Sequence, residues 1–169
     1  MAITLADTYF LKAQDNYPWE LEEMIENLNY ALSYDEDHAE ANCLMARFQA
    51  EQLNKYSAAE YYFETALASD PLNLNTCKYY SNLLIELKDF NKAHKLIEYA
   101  LKIRGVDVAI MKKLKGLIAE QQKDYVLSVK LYMDSKQETY NNCLIDELNL
   151  DIERVKNKHT ATKLYNYNT

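Results

Sequence analysis

The chain has 169 residues, 49% of them apolar and 27% charged, with a net charge of −7, which is long enough for a domain with a sizeable core. With only two glycines and two prolines, an all-β protein with many hairpins and a glycine-rich phosphate cradle are both excluded. The acidic balance disfavours nonspecific binding to nucleic acid, and three cysteines fit a reducing compartment better than a disulfide scaffold.

Residues 1–15 carry no basic residue ahead of their short apolar stretch, unlike a secretory signal. No run of about eighteen apolar residues is present, so no membrane span is expected. A cytoplasmic protein follows as the expectation. The charge is unevenly placed. Residues 1–75 hold fourteen acids and three bases, while residues 76–169 hold twelve acids and sixteen bases. This layout leaves room for a basic surface in the second half, or for solvated helix faces that differ only in charge.

In chain order, a first helix falls within residues 3–14, in a register that the pattern leaves open. A turn at Asp15–Trp19 follows, with Pro18 suited to the first turn of the next helix. That second helix carries Leu21, Met24, Leu28 and Ala31-Leu32. A third has Cys43, Ala46 and Ala50. A fourth has Tyr56, Ala59, Phe63 and Ala66-Leu67, and Asp70-Pro71 stops it. The same pattern then returns 34 residues later. Cys77, Tyr80 and Leu84 repeat the third helix, and Phe90, Ala93, Ile97 and Ala100-Leu101 repeat the fourth. Gly105 can supply a C-terminal cap. Met111, Leu114 and Ile118 follow at 34, and Tyr125, Ser128, Tyr132 and Ser135 at 35.

Within each copy the apolar sites fall at i, i+3, i+7, i+10 and i+11, one face of a helix. Short linkers at Asn54-Lys55, Lys88-Asp89 and Lys123-Asp124 make each unit an antiparallel pair. Alanines on the stripe let a neighbouring helix approach closely. A pair alone cannot bury both faces, so the pairs must stack. The expected pairs are residues 3–36, 39–70, 73–104 and 107–137, in one domain of residues 1–158. A capping helix over 139–157 shows Leu144, Leu148, Ile152 and Val155 on one side and charged residues on the other. Residues 159–169 read as a polar tail that frays.

These residues resemble the tetratricopeptide repeat family. The best copy, residues 39–73, has Tyr56, Ala59, Phe63, Ala66 and Pro71 where that family has an aromatic, Ala, an aromatic, Ala and Pro. The chain departs from the family at its early tryptophan, replaced by Cys43, Cys77 and Met111, and at its first-helix glycine, replaced by Arg47, Ser81 and Lys115. The resemblance implies an all-α, right-handed α-solenoid of antiparallel helix pairs with a C-terminal capping helix. It also implies a concave groove, lined by the first helix of each pair, that receives a peptide or helix of a partner protein.

Taking first-helix residues off the packing stripe gives rows Leu44, Lys78 and Lys112; Phe48, Asn82 and Gly116; Ala41, Asn75 and Ala109; and Gln52, Glu86 and Glu120. The candidate partner-binding residues are Lys78, Asn82, Lys112, Lys113, Phe48, Leu44 and Asn75. Lys78 with Asn82 resembles half of the family's carboxylate clamp, and both groups can donate to one carboxylate. The matching position of the next repeat holds Lys113 instead of Asn. Lys78, Lys112 and Lys113 could alternatively form a looser basic patch for an acidic segment, or simply an exposed helix face. Phe48 is either a groove anchor or a packing residue against the N-terminal pair.

His38, His94 and His159 are dispersed without metal-ligand spacing. Cys43 and Cys77 read as small core residues. The acids Asp35, Glu36, Asp37 and Glu40 read as helix-start charges. No nucleophile–base arrangement is evident, and neither a cofactor nor a metal is expected. The expected function is therefore a non-catalytic protein-interaction module. The alternatives are a small cytoplasmic secretion-type chaperone and an RNA-binding helical-repeat protein, with nucleic acid disfavoured by charge. Self-association through the open ends is compatible with the split charge.

Overall fold

A computed structural model describes residues 3–167. Among the described residues the chain is all helical. In chain order the helices are α1 (Leu5–Asn16), α2 (Leu21–Tyr34), α3 (Ala39–Glu51), α4 (Tyr56–Ser69), α5 (Leu74–Glu86), α6 (Phe90–Ala100), α7 (Val108–Gln121), α8 (Tyr125–Gln137) and α9 (Asn142–Tyr167). The contacts cluster into two compact units, Met1–Leu83 and Leu84–Thr169, with the boundary inside α5.

The periodic stripe is the core. Met24, Leu28 and Ala31 on α2 are buried, as are Ala59, Phe63 and Ala66 on α4, Ala93, Ile97 and Ala100 on α6, and Ser128, Tyr132 and Ser135 on α8. Each set repeats at 34 or 35 residues. Burying a Leu or Phe side chain contributes about 2 kcal/mol. The small residues on either side allow the helices to close around it.

In α8 two serines stand where α4 and α6 have alanine, and both hydroxyls bond to the backbone: Ser128 Oγ donates to the Gly116 carbonyl at 2.9 Å and Ser135 Oγ to the Ala109 carbonyl at 2.6 Å. A buried hydroxyl is tolerated because its proton finds an acceptor.

The turns inside the pairs follow one design. Asn54, Lys88 and Lys123 all take positive φ, at 53°, 62° and 65°, which turns the chain after a helix end. Asp89 and Asp124 then cap α6 and α8 by accepting the backbone N–H of Lys92 and Leu127, each at 3.0 Å. Asp107 caps α7 in the same way. Gly105, at φ 89°, makes the turn between α6 and α7.

In the first unit α1 packs antiparallel on α2 and α3 on α4. Their core joins Ala13, Met24, Leu28, Ala31, Ala41, Leu44 and Met45, with Phe10, Phe48 and Tyr62 against it. Pro18 lies in the turn, and α2 starts only at Leu21. In the second unit α7 packs on α8 and α8 on α9, around Ala109, Tyr132, Leu144, Leu148 and Val155. Leu144, Leu148 and Val155 are therefore core residues of α9, as their spacing implies. The helix runs on to Tyr167, through most of the stretch read as a frayed tail. Residues 168–169 lie outside the described residues.

Candidate functional site

Within the first unit a cavity of about 100 Å³ opens between α1, α3 and α5. All three are first helices of their pairs. The lining is Phe10 and Gln14 from α1, Glu40, Cys43, Leu44 and Arg47 from α3, and Asn75 and Tyr79 from α5. These positions are one helical face on each helix: 10 and 14, then 40, 43, 44 and 47, then 75 and 79. On α3 this face borders the packing stripe, with Cys43 and Leu44 buried at its edge, while Gln14 of α1 and Asn75 of α5 stay exposed.

Arg47 is the fixed centre of the slot. Its guanidinium lies 4.7 Å from the centroid of the Tyr17 ring and 4.0 Å from that of Tyr79. Cation–π attraction holds a planar guanidinium well between rings. Arg47 Nε also donates to Glu51 Oε1 at 3.0 Å, and the Tyr17 hydroxyl donates to the other Glu51 oxygen. Burial, with the Glu51 carboxylate beside it, pushes the Tyr17 phenol up to about 12. The charge of Arg47 is thus already matched by Glu51.

At the other end of the slot, His38 joins α1 to α3. Its Nδ1 accepts the Ala41 N–H at 3.1 Å and so caps α3. That pattern places the ring proton on Nε2, which lies 3.1 Å from Asp7 Oδ1. Asp7 also accepts from the backbone N–H of Thr4 and from the Thr4 hydroxyl. The Thr4 backbone bond, the Thr4 hydroxyl and His38 together hold the Asp7 carboxyl down to about 2. Glu40 lies 3.8 Å from His38 Nδ1 and accepts from Asn73 Nδ2 at 3.3 Å.

The sequence-derived candidates fall in three places. Asn75 lines the slot and is exposed. Leu44 lines it too but is only 4% exposed and belongs to the core. Phe48 is half-buried against the core of the first unit. Lys78 is half-buried, with Nζ 5.1 Å from the Tyr79 ring centroid. Asn82 is exposed and donates one amide N–H to the Lys78 carbonyl at 3.2 Å. In the second unit, Lys112 Nζ lies 2.6 Å from Glu138. Lys113 Nζ lies 2.6 Å from Glu147 and 3.8 Å from Asp151. Gly116, placed in the second groove row, is buried instead beneath the Tyr132 ring.

Phe10, Gln14, Glu40, Arg47 and Tyr79 were not singled out as binding residues. For Phe10 and Gln14 the register of α1 was missing. Arg47 and Tyr79 carried a usable signal: an arginine at the family's small first-helix position, with a tyrosine that could cover it two residues before the equivalent position of the next repeat. Cys43 and Cys77 are buried, as small core residues should be, and burial pushes both thiols up to about 11.

The second unit has its own buried ionic cluster. Glu120 on α7, placed by its spacing in the fourth groove row, is buried instead, at 6% exposure. It accepts from the Tyr132 hydroxyl at 3.0 Å, from Arg154 at 2.9 and 2.6 Å, and from Lys158 at 2.9 Å. Burial works against its ionisation, but the bonds from Arg154, Lys158 and Tyr132 prevail and hold the carboxyl down to about 2. Burial and the Glu120 charge push the Tyr132 phenol far up.

Stacked helix pairs with a repeating core stripe and an open first-helix face define an all-α helical-repeat protein of the α-solenoid class. Residues 50–118 match the tetratricopeptide repeat family. No curated protein matches the chain. Among solved structures it is similar to one described as the functional characterization of pilF from Pseudomonas aeruginosa. The TM-score is 0.79 at 21% identity, over 93% of this chain and 70% of that one. At this identity the likeness is one of fold. No described helix is long and apolar enough to cross a membrane.

Proposed function

We propose that the chain is a non-catalytic protein-interaction module, and that the slot of the first unit receives an extended peptide or helix of a partner protein. Tetratricopeptide repeats in general mediate protein–protein interaction, which supports the class of role. The observation that carries the choice of site is the makeup of the slot. Phe10 and Tyr79 offer apolar ring surface, while Gln14 and Asn75 are exposed amides that can both donate to and accept from a peptide backbone. The Tyr17–Arg47–Tyr79 stack keeps one wall in place before any partner arrives, which reduces the ordering cost of binding.

Lys78 and Asn82 continue the α5 face beyond Tyr79 and extend the same surface. A separate reading, an acidic segment received by Lys112 and Lys113, would have to compete with the carboxylates of Glu138, Glu147 and Asp151 already beside them.

The test is a displayed peptide library selected on the wild-type chain. Selected peptides should lose binding to Asn75→Ala and Tyr79→Ala variants and keep it with Tyr61→Ala, whose ring is 65% exposed on α4. Peptides that bind all three variants equally well would place the recognition surface elsewhere.

A further inference from the structure

We infer that the partner segment seated in this slot is basic, presenting a Lys or Arg side chain to Glu40 beside apolar side chains that rest on Phe10 and Tyr79. This rests on the reading of the slot as a peptide site and goes on to specify the chemistry of its occupant.

Charge complementarity carries it. Two carboxylates stand at the α1–α3 end of the slot. Asp7 lies one turn before Phe10 on α1, and Glu40 lines the opening itself. Their side chains are 42% and 47% exposed, so both reach solvent. Between them stands His38, whose Nδ1 is occupied as an acceptor for the Ala41 N–H. In that state the imidazole is neutral. The remaining neighbour of Glu40 is the neutral amide of Asn73. Among the described residues, no Lys or Arg nitrogen lies within 4 Å of Glu40.

The slot's only lining cation, Arg47, is held by Glu51 and sandwiched by two rings, so it has little charge to offer an acidic ligand. The α1–α3 end of the slot is therefore negative, while Lys78, with Nζ 5.1 Å from the Tyr79 ring centroid, stands at the α5 end. The surrounding unit adds to this: residues 1–83 carry fourteen acids against four bases. Such a field draws cationic ligands and repels anionic ones. A Lys or Arg also suits the geometry, since its aliphatic stem can cover a ring while the head reaches a carboxylate.

The experiment is fluorescence anisotropy with three labelled synthetic peptides of equal length, one alternating Leu with Lys, one Leu with Glu and one Leu with Ser. The full chain and its Glu40→Gln, Tyr79→Ala and Glu22→Gln variants are titrated, with helical circular dichroism as the folding control. Glu22 is an exposed acid in the first turn of α2, away from the slot lining.

The Leu-Lys peptide should bind best, and Glu40→Gln should weaken it about tenfold, as expected for a lost charge-assisted contact. Glu22→Gln should change it little, and added salt should weaken it. Equal or tighter binding of the Leu-Glu peptide would overturn the inference, as would equal losses from Glu40→Gln and Glu22→Gln. If all three peptides bind alike and all are weakened by Tyr79→Ala, the slot reading stands and the basic partner falls. If Tyr79→Ala changes nothing, or no peptide binds up to about 1 mM, the weak end of specific recognition, the slot reading falls with it.

Discussion

The Tyr132 ring lies where a Cβ on Gly116 would sit, with ring carbons 2.7 Å from that position. That missing side chain lets α7 and α8 close until the Tyr132 hydroxyl reaches Glu120. Alanine at position 116 would favour helix propensity, yet here it must push a fully buried ring. Gly116→Ala should therefore destabilise the chain by about 1–3 kcal/mol, the usual cost of overpacking, read as a lower midpoint in thermal or urea unfolding. Glu120 predicts a pH dependence. Its carboxyl is held below its ordinary value of 4.5 at about 2. Its contribution is therefore complete above about pH 4.5 and lost as the pH falls through 2. Glu120→Gln should be less stable than wild type at pH 7, and the gap should close as both are acidified across that window. A gap that stays constant with pH would show that the Glu120 charge is not what Arg154 and Lys158 stabilise.

At the scale of the element, one turn departs from the design of its repeats. Asp89 and Asp124 each cap the second helix of a pair, but Lys55 stands at the equivalent position before α4 and makes no side-chain cap. Its backbone, at φ −93° and ψ 71°, is close to that of Asp89 at −81° and 69°. A capping side chain should therefore fit without rearrangement. Lys55→Asn should stabilise the first unit by about 0.5–1 kcal/mol, and Asp124→Ala should destabilise the second by a similar amount, both measurable in urea titrations. The repeated helices from α3 to α8, the pairing of α3 with α4 and of α7 with α8, and the buried stripes of the second helices were legible in the sequence, because a period of 34 with an internal period of 3.6 constrains every copy at once. The register of α1, which lies outside that period, was not legible, and neither was the end of α9. Residues 159–167 are polar and show no stripe, so nothing local distinguishes a helix there from a frayed tail.

At the scale of the whole molecule, two compact units divide inside α5. The second is closed by α9, which buries Leu144, Leu148 and Val155 and brings Arg154 and Lys158 onto Glu120. Truncation before Asn142 should expose that core and leave Glu120 without its cations. Amide hydrogen exchange should then show lost protection in α7 and α8, with α1 to α4 keeping theirs. Uniform loss along the chain would instead show that the units unfold as one cooperative block.

The sequence alone determined the repeated helices, the turns within the later pairs and the stripe residues that fill the core from α2 onward, since burial obeys a periodicity that can be counted. It could not determine which first-helix side chains remain open. Lys112 and Lys113 read as available cations until folding set acids of the α8–α9 turn and of α9 beside them, and Gly116 read as a groove position until Tyr132 covered it. Phe10, Arg47 and Tyr79, from three different helices, meet only in the folded first unit. Charge pairing and convergence of this kind depend on distances between residues far apart in the chain, which no local pattern encodes.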